Sequence, residues 1–162
     1  MYVDFEKLPD HSRVWVYQAE RSLNPEEIEI ISSRLKKFCE GWNTHGNMMP
    51  TSFSVLDDQI LILAVDESGL GASGCSIDSS VRVLTELERL LQINLTDRGK
   101  VSFKAKEGFI RVTPALGIKS QVQAGEISPE TLVINPQIQT KADIQELWVS
   151  AGKSWLNKYF PN

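Results

Sequence analysis

Cysteine is scarce in this 162-residue chain, with Cys39 and Cys75 its only two. Two thiols cannot build a disulfide framework. Neither stands in a CxxC or other close-spaced pair, so a structural metal site has no sequence support. Long apolar runs are missing too. The longest, Ile60 to Val65, falls far short of the roughly 20 residues a membrane helix needs. Basic residues are not in excess: 17 Lys and Arg face 21 Asp and Glu, a net charge of −4. That balance argues against unspecific binding to nucleic acid or to an anionic membrane, both of which favour basic surfaces. The opening MYVDFEKLPD lacks the basic stretch and apolar core of a secretory signal. These absences predict a cytoplasmic protein with reduced thiols, no membrane anchor and no nucleic-acid partner.

What is present suits a globular protein. Apolar residues make up 41% and charged residues 23% of the chain. At this length a core can form without disulfides or metal, and residues 1–162 are expected to be a single domain. The stretch RVWVYQ (13–18) is rich in β-branched and aromatic residues and reads as the first strand. A helix follows with strong start signals. Asn24 suits the N-cap, Pro25 the first helical position and Glu27 the third, where a capping box closes, while Leu23 and Ile28 can form a hydrophobic staple. Ile28, Ile31, Leu35, Phe38 and Trp42 recur at helical spacing, and Gly41 marks the end. Residues 42–50 read as an irregular loop. Residues 51–56 and 59–65, separated by Asp57 and Asp58, read as a tight antiparallel hairpin. The run ILILAV barely alternates, as expected of a strand covered on both faces.

After a small-residue loop, a second helix has Ser76, Asp78 or Ser79 as its cap and Val83, Leu84, Leu87, Leu90 and Leu91 as its stripe. Residues 101–103 and 109–112 read as two short strands or as one bulged hairpin around Lys106, Glu107 and Gly108, and 131–134 as an edge strand that stops at Pro136. A closing helix is capped by Thr140, with Ile144, Leu147, Trp148, Ala151 and Trp155 as its buried face. The order β-α-β-β-α-β predicts an α+β ferredoxin-like sandwich with a C-terminal helical extension, the alternative being another mixed α/β sheet.

The residues that folding does not explain gather in SGCSID (73–78). A thiol just before a helix N-terminus meets the positive end of the helix dipole and unpaired N–H groups, which favour the thiolate. Cys75 is therefore the candidate nucleophile, with His45 as its base and Asp66 orienting the ring. Ser73, Gly74, Ser76, Asp78, Arg82 and Glu67 are the candidate ligand-binding residues. The competing view is that Cys75 packs the helix start as a small apolar residue, the usual behaviour of a free cysteine. The run GLGASG (69–74) matches neither GxxxxGK[ST] nor a GxGxxG that opens a helix, so it supports no nucleotide site. No cofactor and no metal are expected.

The segments WNTHG (42–46), LAVDE (63–67), SGCSIDSSV (73–81) and INLTDR (93–98) together resemble a family of small uncharacterised bacterial proteins of Bacteroidetes type, some of them labelled ABC transporter ATPase. The chain has no Walker A lysine motif and no LSGGQ-like signature, so the resemblance implies no ATP hydrolysis and transfers no catalytic residues. The sequence expectation is a site for a small anionic metabolite at the SGCSID segment. The alternatives are a Cys-dependent enzyme using Cys75 with His45, or an interaction module that forms a homodimer.

Overall fold

A computed structural model describes residues 1–161 of the chain, which is α+β and divides into two compact units. The first comprises Met1–Thr96 with Gln139–Asp143; the second comprises Asp97–Ile138 and the residues from Ile144 on. In the first unit, strand β1 (Arg13–Gln18) leads into helix α1 (Pro25–Gly41). The expected start forms in full. Asn24 Oδ1 accepts the Glu27 N–H at 2.8 Å, and the Glu27 carboxylate accepts the Asn24 N–H at 3.0 Å. Such a cap contributes about 1 kcal/mol. Ile31, Leu35 and Cys39 form the fully buried stripe.

Residues 42–50 are more ordered than their composition suggests, because β2 (Asn43–Thr44) and β3 (Asn47–Met48) make a miniature hairpin. Its turn places His45 at φ 49° and Gly46 at φ 79°. Two successive left-handed residues are what a two-residue hairpin loop needs to match the strand twist. Strands β4 (Thr51–Leu56) and β5 (Ile60–Val65) form the expected hairpin, and Asp57 and Asp58 both adopt positive φ to close it. The sheet order is β1-β5-β4, antiparallel throughout. All six residues of β5 are buried, as its unbroken apolar run requires. Helix α2 (Gly74–Leu91) packs beside α1, with Leu84 and Leu87 in the same core as Ile31 and Leu35.

A strap from the distant part of the chain completes this unit. Gln139 carbonyl accepts the Val14 N–H, while the Lys141 and Ala142 N–H groups donate to the Ser12 and Asp10 carbonyls. The Lys141 ammonium donates to the Leu8 carbonyl at 2.7 Å and to the Glu6 carbonyl at 3.0 Å.

The strand expected to follow α2 in that sheet does not join it. It is β6 (Lys100–Lys104) of a separate four-stranded sheet in the second unit, ordered β7-β6-β8-β9, with β7 at Ile110–Pro114, β8 at Leu132–Ile134 and β9 at Trp148–Ser150. β8 is an internal strand, against the edge position expected of it. The closing helix is not formed either: residues 142–159 run through 3-10 turns and β9. Strand pairing overrides the helical spacing there. Val149 pairs with Val133, Ala151 N–H donates to the Thr131 carbonyl, and Gly152 lies so close to Pro129 that an added Cβ would sit 3.2 Å from its carbonyl oxygen. Trp155, expected on a buried stripe, is 40% exposed. The short helix α3 (Ile118–Gln123) follows Gly117. Among the described residues no helix is long and apolar enough to cross a membrane.

The capping box also sets a pH dependence. The Arg21 guanidinium, 2.7 Å from the Glu27 carboxylate, and the Asn24 N–H hold the Glu27 carboxyl at about 2, below its ordinary 4.5. A carboxyl lowered by folding contributes stability that is present above its unfolded pKa and is lost as pH falls through the folded one. Urea titrations between pH 4.5 and 2 should therefore show a decline that flattens in Glu27→Gln.

Candidate functional site

The C-terminal half of α1 presents Arg34, Lys37, Phe38 and Gly41 along one side, a spacing that keeps them on neighbouring turns. The helix ends at Trp42, which is 2% exposed, and the indole N–H reaches across to the Ser76 carbonyl in the first turn of α2 at 2.8 Å. Phe38 and Trp15 flank the indole at ring-centroid distances of 4.9 and 5.9 Å. The β2–β3 hairpin follows at once. Asn43 braces it, donating from Nδ2 to the Gly41 carbonyl and accepting the Gly46 N–H on Oδ1, each at 3.0 Å.

Helix α2 begins earlier than its sequence suggests. Ser73 is the N-cap, its hydroxyl accepting the Ser76 N–H at 3.1 Å, and the Ser73 carbonyl takes the Ile77 N–H. Cys75 thus lies inside the first turn, and Asp78 is an exposed helical residue with no capping role. Ser76, Ser79 and Ser80 donate their hydroxyls back to the carbonyls of Ser73, Cys75 and Ile77. The hydroxyl donors anticipated for a ligand are therefore spent on the helix. The N–H groups of Gly74 and Cys75 are the ones that the helix itself leaves unbonded.

Between these two helix ends and the hairpin lies a cavity of about 750 Å³. Its wall includes Ser73, Cys75 and Ser76 from α2 and His45 from the hairpin, so the structure brings these four expected residues together. Cys75 and His45 share no hydrogen bond among the described residues. The remaining candidates do not line the cavity. Asp66 accepts both the N–H and the hydroxyl of Ser68, at 2.9 and 2.5 Å, which hold its carboxyl below the usual range. The histidine near it is His11, whose Nε2 is 3.4 Å from the Ser68 hydroxyl, so Asp66 has no orienting role toward His45 here. Glu67 pairs with Arg13 at 3.5 Å, and its carboxylate fills the space where a side chain on Gly71 would go. Gly74 and Arg82 are exposed on α2 outside the lining.

The lining also holds Phe38 and Trp42, expected on the apolar stripe of the first helix, and Arg34 and Lys37, which the sequence expectations do not include. Arg34 and Lys37 are three residues apart on α1, just where the apolar stripe ends in Phe38 and Trp42. That spacing, beside a helix end, is the available signal. Among the described residues, no aspartate or glutamate lines the cavity. Arg34 reaches Glu86 at 3.2 Å, but both side chains are about half exposed and such a pair is weak. Two cations and the positive end of α2 therefore make the cavity attractive to an anion. Among the described residues there is no group of three or more His, Cys, Asp or Glu that could hold a metal ion. Comparison with protein-family models, curated proteins and solved structures finds no match for the chain.

The two cysteines contrast sharply. Cys75 is exposed on the cavity wall, whereas Cys39 is fully buried and burial pushes its thiol up to about 11. Brief iodoacetamide treatment of the native protein at neutral pH should add one carbamidomethyl group, mapped by peptide mass to Cys75. The same treatment in denaturant should add two.

Proposed function

We propose that the first unit of this chain is a cytoplasmic binding module for a small anionic metabolite, held in the cavity between α1 and α2. The supporting observation is the cavity lining, with Arg34 and Lys37 on one side, the start of α2 on the other and, among the described residues, no carboxylate between. The N–H groups of Gly74 and Cys75 are aligned with the helix axis and suit a phosphate or carboxylate. Phe38, Trp42 and Val83 give the apolar surface that a metabolite's carbon skeleton requires. The strand order β1-β5-β4 agrees with three strands of the proposed ferredoxin-like sheet, with the strap at Gln139–Asp143 taking the flank where its fourth strand would pair. In such a sandwich the two helices lie together on one face, which is what forms the groove.

Thermal-shift assays with phosphosugars, nucleotides and di- and tricarboxylates at millimolar concentration test this reading. At least one class should raise the melting temperature, as any ligand of the native state must. Lys37→Glu should abolish the shift without changing the melting temperature of the free protein. A flat response across all three classes counts against the site.

A second reading is favoured by one observation: the exposed Cys75 thiol shares the cavity wall with His45. Here the thiolate attacks a small electrophile after His45 takes its proton. Under this reading iodoacetamide modifies Cys75 faster than a free cysteine, and His45→Asn slows the reaction at least tenfold. Equal rates for wild type and variant would reject a catalytic pair and leave the binding reading intact.

A further inference from the structure

Independently of the cavity, we infer that β7 in the second unit is the edge through which two copies of this chain pair, antiparallel about a two-fold axis at Val112. Residues of an antiparallel pair alternate between bonding the neighbouring strand and pointing away from it. Ala105 N–H donates to the Phe109 carbonyl at 2.9 Å, and Ala115 N–H to the Gly99 carbonyl at 2.7 Å. Counting in twos between those anchors, Arg111 and Thr113 turn their backbone groups toward β6. Ile110 and Val112 turn theirs outward, where no described strand pairs with them.

The other sheet edges are less open. Tyr2 bridges Thr51 at the edge strand β4, and the 3-10 turn Phe5–Lys7 packs along it. The strap at Gln139 and Thr140 meets the start of β1. β9 has only three residues and sits between 3-10 turns. β7 is longer, five residues with no lysine and no bulge; of the devices that blunt an edge it carries Arg111, held by the Glu126 carboxylate at 2.9 Å, and Pro114 at its last position.

The strand is self-complementary. With Val112 opposite Val112 of the second copy, the two exchange both backbone bonds. Ile110 then faces Pro114, whose carbonyl accepts the Ile110 N–H; because Pro114 has no N–H to return, the Ile110 carbonyl stays with solvent at each end of the ladder. Arg111 faces Thr113, so no like charges oppose one another. At either end stand Phe109, 55% exposed, and Leu116, fully exposed. The two-fold sets Phe109 opposite Ala115 of the second copy and one residue from its Leu116. A two-fold interface uses the same patch twice, and here each end supplies what the other lacks.

Sedimentation velocity of the full chain across a micromolar to millimolar series tests the pairing. The wild type should be dimeric at the upper end. Val112→Lys, which places two ammonium groups across the axis, should be monomeric with unchanged far-UV circular dichroism. Leu116→Ser, at a fully exposed position, should raise the dimer dissociation constant about tenfold. Should Val112→Lys fail to fold, Val112→Cys in a Cys75→Ser background decides the matter, since facing Cα atoms about 5.5 Å apart permit a disulfide. A covalent dimer under mild oxidation supports the axis. A wild type that stays monomeric at the highest concentration, a folded Val112→Lys that dimerises like the wild type, or a Val112→Cys that remains uncrosslinked overturns it.

Discussion

The arrangement of the first unit depends on one buried hydrogen bond, from the Trp42 indole to the Ser76 carbonyl. It joins the last turn of one helix to the first turn of the other, thirty-four residues along the chain. A buried indole left without an acceptor would cost roughly 1–3 kcal/mol, so the ring fixes the two helix ends against each other as strongly as its packing does. The same ring forms part of the cavity wall, and its neighbours Phe38 and Trp15 set its orientation.

That contact brings together ends of opposite polarity. At the close of α1 the carbonyls are already used: Cys39 carbonyl accepts the Thr51 hydroxyl and the Trp42 N–H, and Gly41 carbonyl accepts Asn43. The negative end of that helix is thereby quenched, while the positive end of α2 keeps N–H groups that the helix does not bond. The surplus is cationic even though the chain as a whole carries −4. Local backbone geometry, more than residue counts, sets the field that a ligand meets.

What could be read from the sequence is what local chemistry decides. The start of α1 is legible because Asn24, Pro25 and Glu27 act within four residues, and the β4–β5 hairpin because two aspartates separate two apolar runs. The stretch from Thr140 to Trp155 misleads for the opposite reason. Its helical spacing is real, but the backbone of Val149 and Ala151 finds partners near Val133 and Thr131, which no local pattern announces. Cys75 and His45 stood out by rarity and do share a cavity. Arg34 and Lys37 did not, because a basic helix face looks the same whether it meets water or lines a groove. Ser73, expected as a ligand-binding residue and not as a cap, lines the cavity and caps α2, which draws Cys75 into the helix.

The strap at Gln139–Asp143 has a consequence for how the chain becomes a protein. The first unit takes its last backbone partners from a segment that lies, in sequence, between β8 and β9 of the second. Neither unit is one continuous piece, so no single proteolytic cut can free either of them whole. During synthesis the first hundred residues can collapse early, yet β1 waits for its outer partner until the ribosome has passed residue 143. Throughout that interval Val14 and Ser12 offer an unfinished strand border, and a chaperone would find its opportunity there.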